Sequence, residues 1–262
     1  MRRAGLVVAD ALAAAVEHAR PGVATASIDA VAARVIAEAG ALPSFLGYEG
    51  FPATVCVSVN DEIVHGIPGQ RVLQPGDVVS IDCGAIVDGW HGDSAVTVVL
   101  ERAAPADVAL SRATEHAMWA GIAALATGER VGAVGAAVAD AVDATALTAG
   151  GSVRYGIVRD YVGHGIGSAM HQAPDVPNYR ARERGPRLRP GMCLAIKPML
   201  TRGSPMAHEL DDEWTVVTDD GSRASHWEHT VAVLDDGIWV LTARDGGAAR
   251  LSELGVEIAP LD

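Results

Sequence analysis

The sequence predicts an α+β fold around a mostly antiparallel sheet, and three observations predict it. Helical and strand-like segments alternate in the order helices, strands, helices, strands along 262 residues. The dipeptide Asp88-Gly89, a two-residue hairpin signal, sits between two β-rich runs. No Pro/Ser/Gly-rich linker divides the chain, and with 49% hydrophobic residues it can bury one large core. Residues 1–262 therefore read as one domain of two pseudo-symmetric halves, with a central antiparallel sheet and flanking helices. Residues 1–40 supply N-terminal helices and residues 43–262 the core that carries chemistry.

The alanine-rich stretch from Ala4 to Ala19 has helical periodicity and closes at Pro21-Gly22. Ser27 offers an N-cap for a second helix reaching Glu38, before Gly40. Short β-rich segments follow at Val55 to Val59, Val78 to Cys83 and Ala95 to Leu100. Two more helices are expected from Leu110 to Ala126 and from Val131 to Ala149, ending near Gly128 and at Gly150-Gly151. Strand-like runs return at Val153 to Val158, Met192 to Met199, Trp214 to Val217, Trp227 to Leu234 and Ile238 to Leu241. The segment from Arg180 to Arg189 carries five arginines but no interleaved aromatic residues to stack bases, so it reads as a solvated loop.

A formal net charge of −13 argues against binding to nucleic acid or anionic membrane, both of which need basic surfaces. Cys56, Cys83 and Cys193 lie in apolar strand-like runs with no CxxC pairing, and they read as reduced core residues of a cytoplasmic protein. Asp10, Glu17 and His18 interrupt the N-terminal apolar run before a signal-peptide core or membrane span could form.

Chemistry concentrates in a few places. If Asp88-Gly89 forms a two-residue turn, residues whose numbers sum to 177 face each other, so Asp82 opposes Ala95. Asp93, two residues from Ala95 on the same face, becomes a diagonal neighbour of Asp82 about 7 to 8 Å away, near enough for both carboxylates to reach one cation. Gly163-His164-Gly165-Ile166-Gly167 sets a histidine between glycines, where backbone can approach a ligand closely. His171 follows, and Glu228-His229 interrupts an apolar strand, where an inward glutamate needs a partner.

These stretches, with Phe51-Pro52-Ala53-Thr54-Val55-Cys56 through His65-Gly66-Ile67-Pro68, His91-Gly92-Asp93 and Trp227-Glu228-His229-Thr230, closely resemble type I methionine aminopeptidase from about Pro43 to Leu234. The resemblance implies the pita-bread fold and removal of the initiator methionine from nascent peptides. It implies a cytoplasmic monomer that meets the ribosome transiently, with a peptide N-terminus as partner. In that family two aspartates, one histidine and two glutamates hold two divalent ions that activate a water. By position these are Asp82, Asp93, His164, residue 197 and Glu228. The resemblance also implies that His65 contacts the amine end or scissile region and that His171 helps stabilise the tetrahedral intermediate. Tyr48, Phe51, Cys56, Met170 and Trp214 fall where the family lines its methionine pocket. Glu49, Phe51 and Met170 depart from the usual histidine, tyrosine and phenylalanine.

A departure of another kind is Lys197, the only lysine in the chain. The family motif reads PGM, a short apolar run, then EPM; here Pro190-Gly191-Met192 leads to Lys197-Pro198-Met199. An ammonium cannot ligate a cation, and neighbouring carboxylates raise its pKa. Three carboxylates, one ammonium and one divalent ion are neutral together, so one metal (Mn, Fe, Co or Zn) or none is expected instead of two. The ammonium should pair with Asp93 or Glu228 beside His164. Three functions remain open: an aminopeptidase with at most one metal, a metal-independent enzyme using Lys197 on a peptide or small molecule, and a catalytically impaired peptide-binding homologue.

Overall fold

The computed structural model describes residues 1–148 and 154–261. Helices α1 (Arg2–His18) and α2 (Thr25–Glu38) open the chain where the periodicity places them. On α1, the buried Ala4, Val8, Ala11, Leu12 and Ala15 recur at three- and four-residue spacing and so form one apolar stripe. Helix α2 starts two residues before the expected Ser27 cap, and Ala24 stands at its N-cap. Backbone from the loop at residues 69–71 does the capping: Arg71 O accepts from Thr25 N, and Gly69 O accepts from Ala26 N. Ser27 Oγ is drawn off to Ala24 O and His18 Nε2.

Strands β1 (Leu42–Pro43), β2 (Val55–Val59), β3 (Glu62–Val64), β4 (Val78–Val87) and β5 (Trp90–Val99) follow. Asp88 and Gly89, at φ 51 and φ 78, make the left-handed turn that joins β4 to β5. Both strands run further toward this turn than their β-rich cores suggest, because Gly84, Asp88, Gly89 and Gly92 dilute the compositional signal without breaking the ladder. Helix α1 crosses the hairpin at a glycine contact. A Cβ on Gly92 would meet Gly5 N at 2.8 Å, and one on Gly5 would meet Leu241 O at 2.3 Å.

Helices α3 (Pro105–Thr127) and α4 (Gly132–Thr148) come next. Ala149, Gly150-Gly151 and Val153, which bound the expected helix end and next strand start, lie outside the described residues. The second half adds β6 (Gly156–Ile157), β7 (Gly163–Gly165), β8 (Gln172–Val176), β9 (Cys193–Ile196) and β10 (Met199–Thr201). It ends with β11 (Ala207–Glu209), β12 (Val216–Thr218), β13 (Ala224–His226), β14 (Glu228–Leu234), β15 (Gly237–Val240) and α5 (Ala248–Glu253). The single run expected from Met192 to Met199 is two strands, interrupted at Lys197-Pro198, where proline has no N–H to give the ladder.

The central antiparallel sheet runs β1-β4-β5-β14-β9-β7-β8, with β2 on β4 and β15 on β14. Each half has its own helix pair: α1 and α2 cover β2 and β4 through Val8, Leu12, Ile28, Val57 and Ile81. Helices α3 and α4 cover β9 and β14 through Met118, Ile122, Val138, Ile196 and Val231. The opposite sheet face is left for chemistry. Cys56 and Cys83 are buried, but Cys193 is only half-buried, contrary to its expected core position, since it starts β9 at the sheet margin. All five arginines from Arg180 to Arg189 are exposed. Among the described residues no helix is long and apolar enough to cross a membrane.

Candidate active site

Strand parity brings the charged groups together. On β4, Ile81 and Cys83 turn into the helix-covered core, so Asp82 between them turns to the other face. The register pairs Asp82 with Ala95 and Gly84 with Asp93, which makes the two aspartates diagonal neighbours as the turn arithmetic requires. Glu228 also opposes Ala95, from β14, and shares that face. His164 opposes Ala195, two residues before Lys197. Ile196 pairs with His229, so one further step of the same register sets Lys197 opposite Glu228.

That register decides the ion pair. Lys197 Nζ lies 3.3 Å from Glu228 Oε2, so of the two expected partners the lysine pairs with Glu228. Asn178 Nδ2 donates to Lys197 O at 3.0 Å and anchors the strand break. His164 Nε2 is 3.9 Å from Asp93 Oδ2. Its flanking glycines permit close strand contact: a Cβ on Gly163 would lie 2.3 Å from Ala195 O, and one on Gly165 2.4 Å from Ala173 O.

One member of the site was not foreseen. His226, fully buried at the end of β13, places Nε2 3.2 Å from Glu228 Oε2 and Nδ1 4.0 Å from Asp82 Oδ2. Its backbone N donates to Ser80 Oγ and Thr97 Oγ1, which tie it to β4 and β5. The signal was present as a period of two, since His226 and Glu228 share a face. The neighbouring His229 points the other way, toward Ser94, Thr242 and the Trp119 ring.

Two groups of donors cluster tightly enough to hold a metal ion: Asp82, His226 and Glu228, and Asp93, His164 and Glu228. Asp82 Oδ1, Asp93 Oδ1, His164 Nε2, His226 Nε2 and both carboxylate oxygens of Glu228 are buried without a hydrogen-bond partner. Oxygen and imidazole donors orphaned in this way fit a divalent cation.

Electrostatics sort the charges. Burial, reinforced by Glu228, pushes Asp82 up to about 6 and Asp93 well above the usual carboxylate range. Burial also opposes charge on Glu228, but Lys197 and His226 outweigh it and hold Glu228 well below its ordinary value. Burial likewise opposes charge on Lys197, yet Glu228, Asp82 and Asp93 hold its pKa above normal. The pair is thus ammonium and carboxylate. Burial first and Lys197 second push His164 down to about 4 and His65 down to about 3, and they lower His171. Neutral imidazoles can ligate or accept protons near pH 7.

A cavity of about 150 Å³ opens onto this face, lined by Tyr48, Phe51, Cys56, His65, Met170, His171, Lys197 and Trp214. All five expected pocket residues meet there in one apolar cluster, with Phe45 as an unforeseen member. His65 sits on left-handed backbone at φ 61, an uncommon conformation for a non-glycine residue. Tyr48 Oη lies 3.0 Å from His171 Nδ1, and the His171 ring stacks edge-on at 4.3 Å from His164. Burial and Asp82 raise the Cys56 thiol far above its ordinary value, so it stays protonated.

A sequence profile of Metallopeptidase family M24 matches residues 1–235. Methionine aminopeptidase 1 of Mycobacterium tuberculosis is 54% identical over 243 residues, covering 92% of this chain and 91% of that protein. Methionine aminopeptidase 1 of Bacillus subtilis is 43% identical over 242 residues, covering 92% and 94%. The crystal structure of methionine aminopeptidase from Thermotoga maritima superimposes with a TM-score of 0.87 at 36% identity, covering 93% of this chain and 95% of that one. Prolidase from Pyrococcus furiosus, at TM-score 0.71 and 18% identity, shares the fold. Sheet, helix pairs and this breadth of similarity converge: the chain has the pita-bread fold and belongs to metallopeptidase family M24.

Proposed function

We propose that this chain is an aminopeptidase of the methionine type that works with at most one tightly bound divalent ion. The observation that carries the reading is the buried Lys197–Glu228 pair, 3.3 Å apart among three carboxylates. The relatives named methionine aminopeptidase support the reaction class, and the resemblance of residues 190–199 to the family motif supports reading Lys197 as the substitute for a ligand glutamate. With the ammonium included, Asp82, Asp93 and Glu228 leave two negative charges, which one divalent ion balances.

Asp82, Asp93 and Glu228 would hold that ion, be it manganese, iron, cobalt or zinc, while Lys197 closes the position beside His164. A divalent ion there supplies Lewis acidity, which makes a water nucleophilic near neutral pH. Lys197 keeps Glu228 ionised. Tyr48 Oη, donating to His171 Nδ1, would leave the His171 proton on Nε2, where it can be given to a developing oxyanion. His65 faces the amine end of the peptide. Tyr48, Phe51, Cys56, Met170 and Trp214 enclose the side chain. Their cavity is worth about five waters of liquid volume, in scale with the four heavy atoms of a methionine side chain.

An amine-nucleophile role for Lys197 gains no support, since the three carboxylates keep the nitrogen protonated. The same reading places the enzyme in the cytoplasm, acting on nascent chains.

Two measurements test the proposal together: metal content of the purified protein and methionine release from Met-Ala-Ser. One ion or none per chain, with turnover on adding cobalt, manganese or iron, is the expected result. Lys197→Glu should raise the content to two. Two ions in the wild-type protein, or no turnover with any of these metals, overturns it.

A further inference from the structure

We propose that His226 is a metal ligand, completing a site for one divalent cation with Asp82 and Glu228. The inference rests on the reading above that one ion is taken up, and it changes how that ion is held. The first ground is geometry. His226 Nε2 and Glu228 Oε2 are 3.2 Å apart, yet both are without a hydrogen-bond partner, so their lone pairs are not aimed at one another. Nitrogen and oxygen donors on a common cation, at about 2.0–2.2 Å each, stand about 3 Å apart while pointing at a third point. Asp82, His226 and Glu228 offer donor atoms mutually within 4.8 Å.

The second ground is sheet order. Strands run β5-β14-β9-β7 across this face. Lys197, at the end of β9, stands between Glu228 on β14 and His164 on β7, whereas His226 is tied to β4 and β5 on the far side of Glu228. The ammonium therefore closes the cluster containing His164 and leaves the cluster containing His226 open. Glu228 Oε2 lies near Nζ as well, and of its two lone pairs one can face the ammonium and the other the cation.

Burial is the third ground. A histidine 1% exposed beside two carboxylates keeps Nε2 without a hydrogen bond, 3.2 Å from a carboxylate oxygen that is likewise unsatisfied. The donor set would then be imidazole with two or three carboxylates. That mixture suits zinc, cobalt or iron better than the all-oxygen sites favoured by magnesium.

Titration of the full-length metal-free chain with Co2+ tests this, followed by visible d–d absorption and by elemental analysis after dialysis. Wild type, His226→Gln and His164→Gln are compared. One Co2+ per wild-type chain is expected, with at least a tenfold loss of affinity and an altered spectrum in His226→Gln and neither change in His164→Gln. X-ray absorption on the wild-type and His164→Gln proteins keeps the test independent of whether His226→Gln folds: an imidazole shell should persist in both. Unchanged affinity and spectrum in His226→Gln, or an imidazole shell that vanishes in His164→Gln, overturns the ligand assignment alone. No Co2+ bound by wild type overturns this assignment, whereas the reading above falls on the absence of turnover with added metal.

Discussion

An ammonium and a carboxylate taken out of water each lose several kcal/mol of solvation, which their attraction regains only if both remain. Lys197 and Glu228 are such a pair, with Asp82 and Asp93 adding negative charge beside them. Lys197→Ala should therefore destabilise the metal-free protein by about 3–5 kcal/mol at pH 7, read from the urea midpoint, and added divalent ion should recover part of that loss. His229 makes a separate prediction. Burial pushes it down to about 4 from an ordinary 6.5, so the folded state disfavours its proton. Its contribution is present above pH 6.5 and falls as pH drops toward 4, where the unfolded chain binds the proton first. The stability gap between wild type and His229→Gln should shrink by about 2 kcal/mol from pH 7 to pH 5 in urea titrations. Much at this scale was readable beforehand: Asp82 and Asp93 followed from turn arithmetic, and the pocket residues from motif position. His226 was missed because the reading took Glu228 with its sequence neighbour His229, although strand parity turns that neighbour to the opposite face.

Helices and strands were placed by periodicity, and their errors have local causes. Hydrophobic content marked the centres of β4 and β5 but not their turn-proximal ends, where cross-strand pairing continues through residues of low β-propensity. Proline split β9 from β10 inside one apolar run, and the split matters because it releases Lys197 from the ladder just where it must meet Glu228. The α2 cap came from loop carbonyls distant in sequence, which no local pattern encodes. The crossing of α1 over the hairpin is likewise a tertiary fact. Because a Cβ at position 92 would stand 2.8 Å from Gly5 N, Gly92→Ala should push α1 away and cost about 1–3 kcal/mol in thermal or urea unfolding.

At the scale of the whole molecule, α1 is tied to the segment that follows β15. Arg2 donates from Nη1 to Leu241 O at 2.8 Å and Ala243 O at 2.6 Å, and from Nη2 to Arg244 O at 2.8 Å. Arg2→Ala should lower stability by about 1–3 kcal/mol, measured by urea unfolding, with the metal content of the protein unchanged. The α+β class and the two-half layout were legible in the order of elements, whereas this closure was not, since an arginine near a terminus carries no sign of its partners. Synthesis gives the closure a temporal meaning. At about 5–20 residues per second, a ribosome needs roughly 12–50 s to run from Arg2 to the carbonyls that seat it. For that interval α1 lacks part of its final berth, so this helix is locked in place only once the segment after β15 has been made.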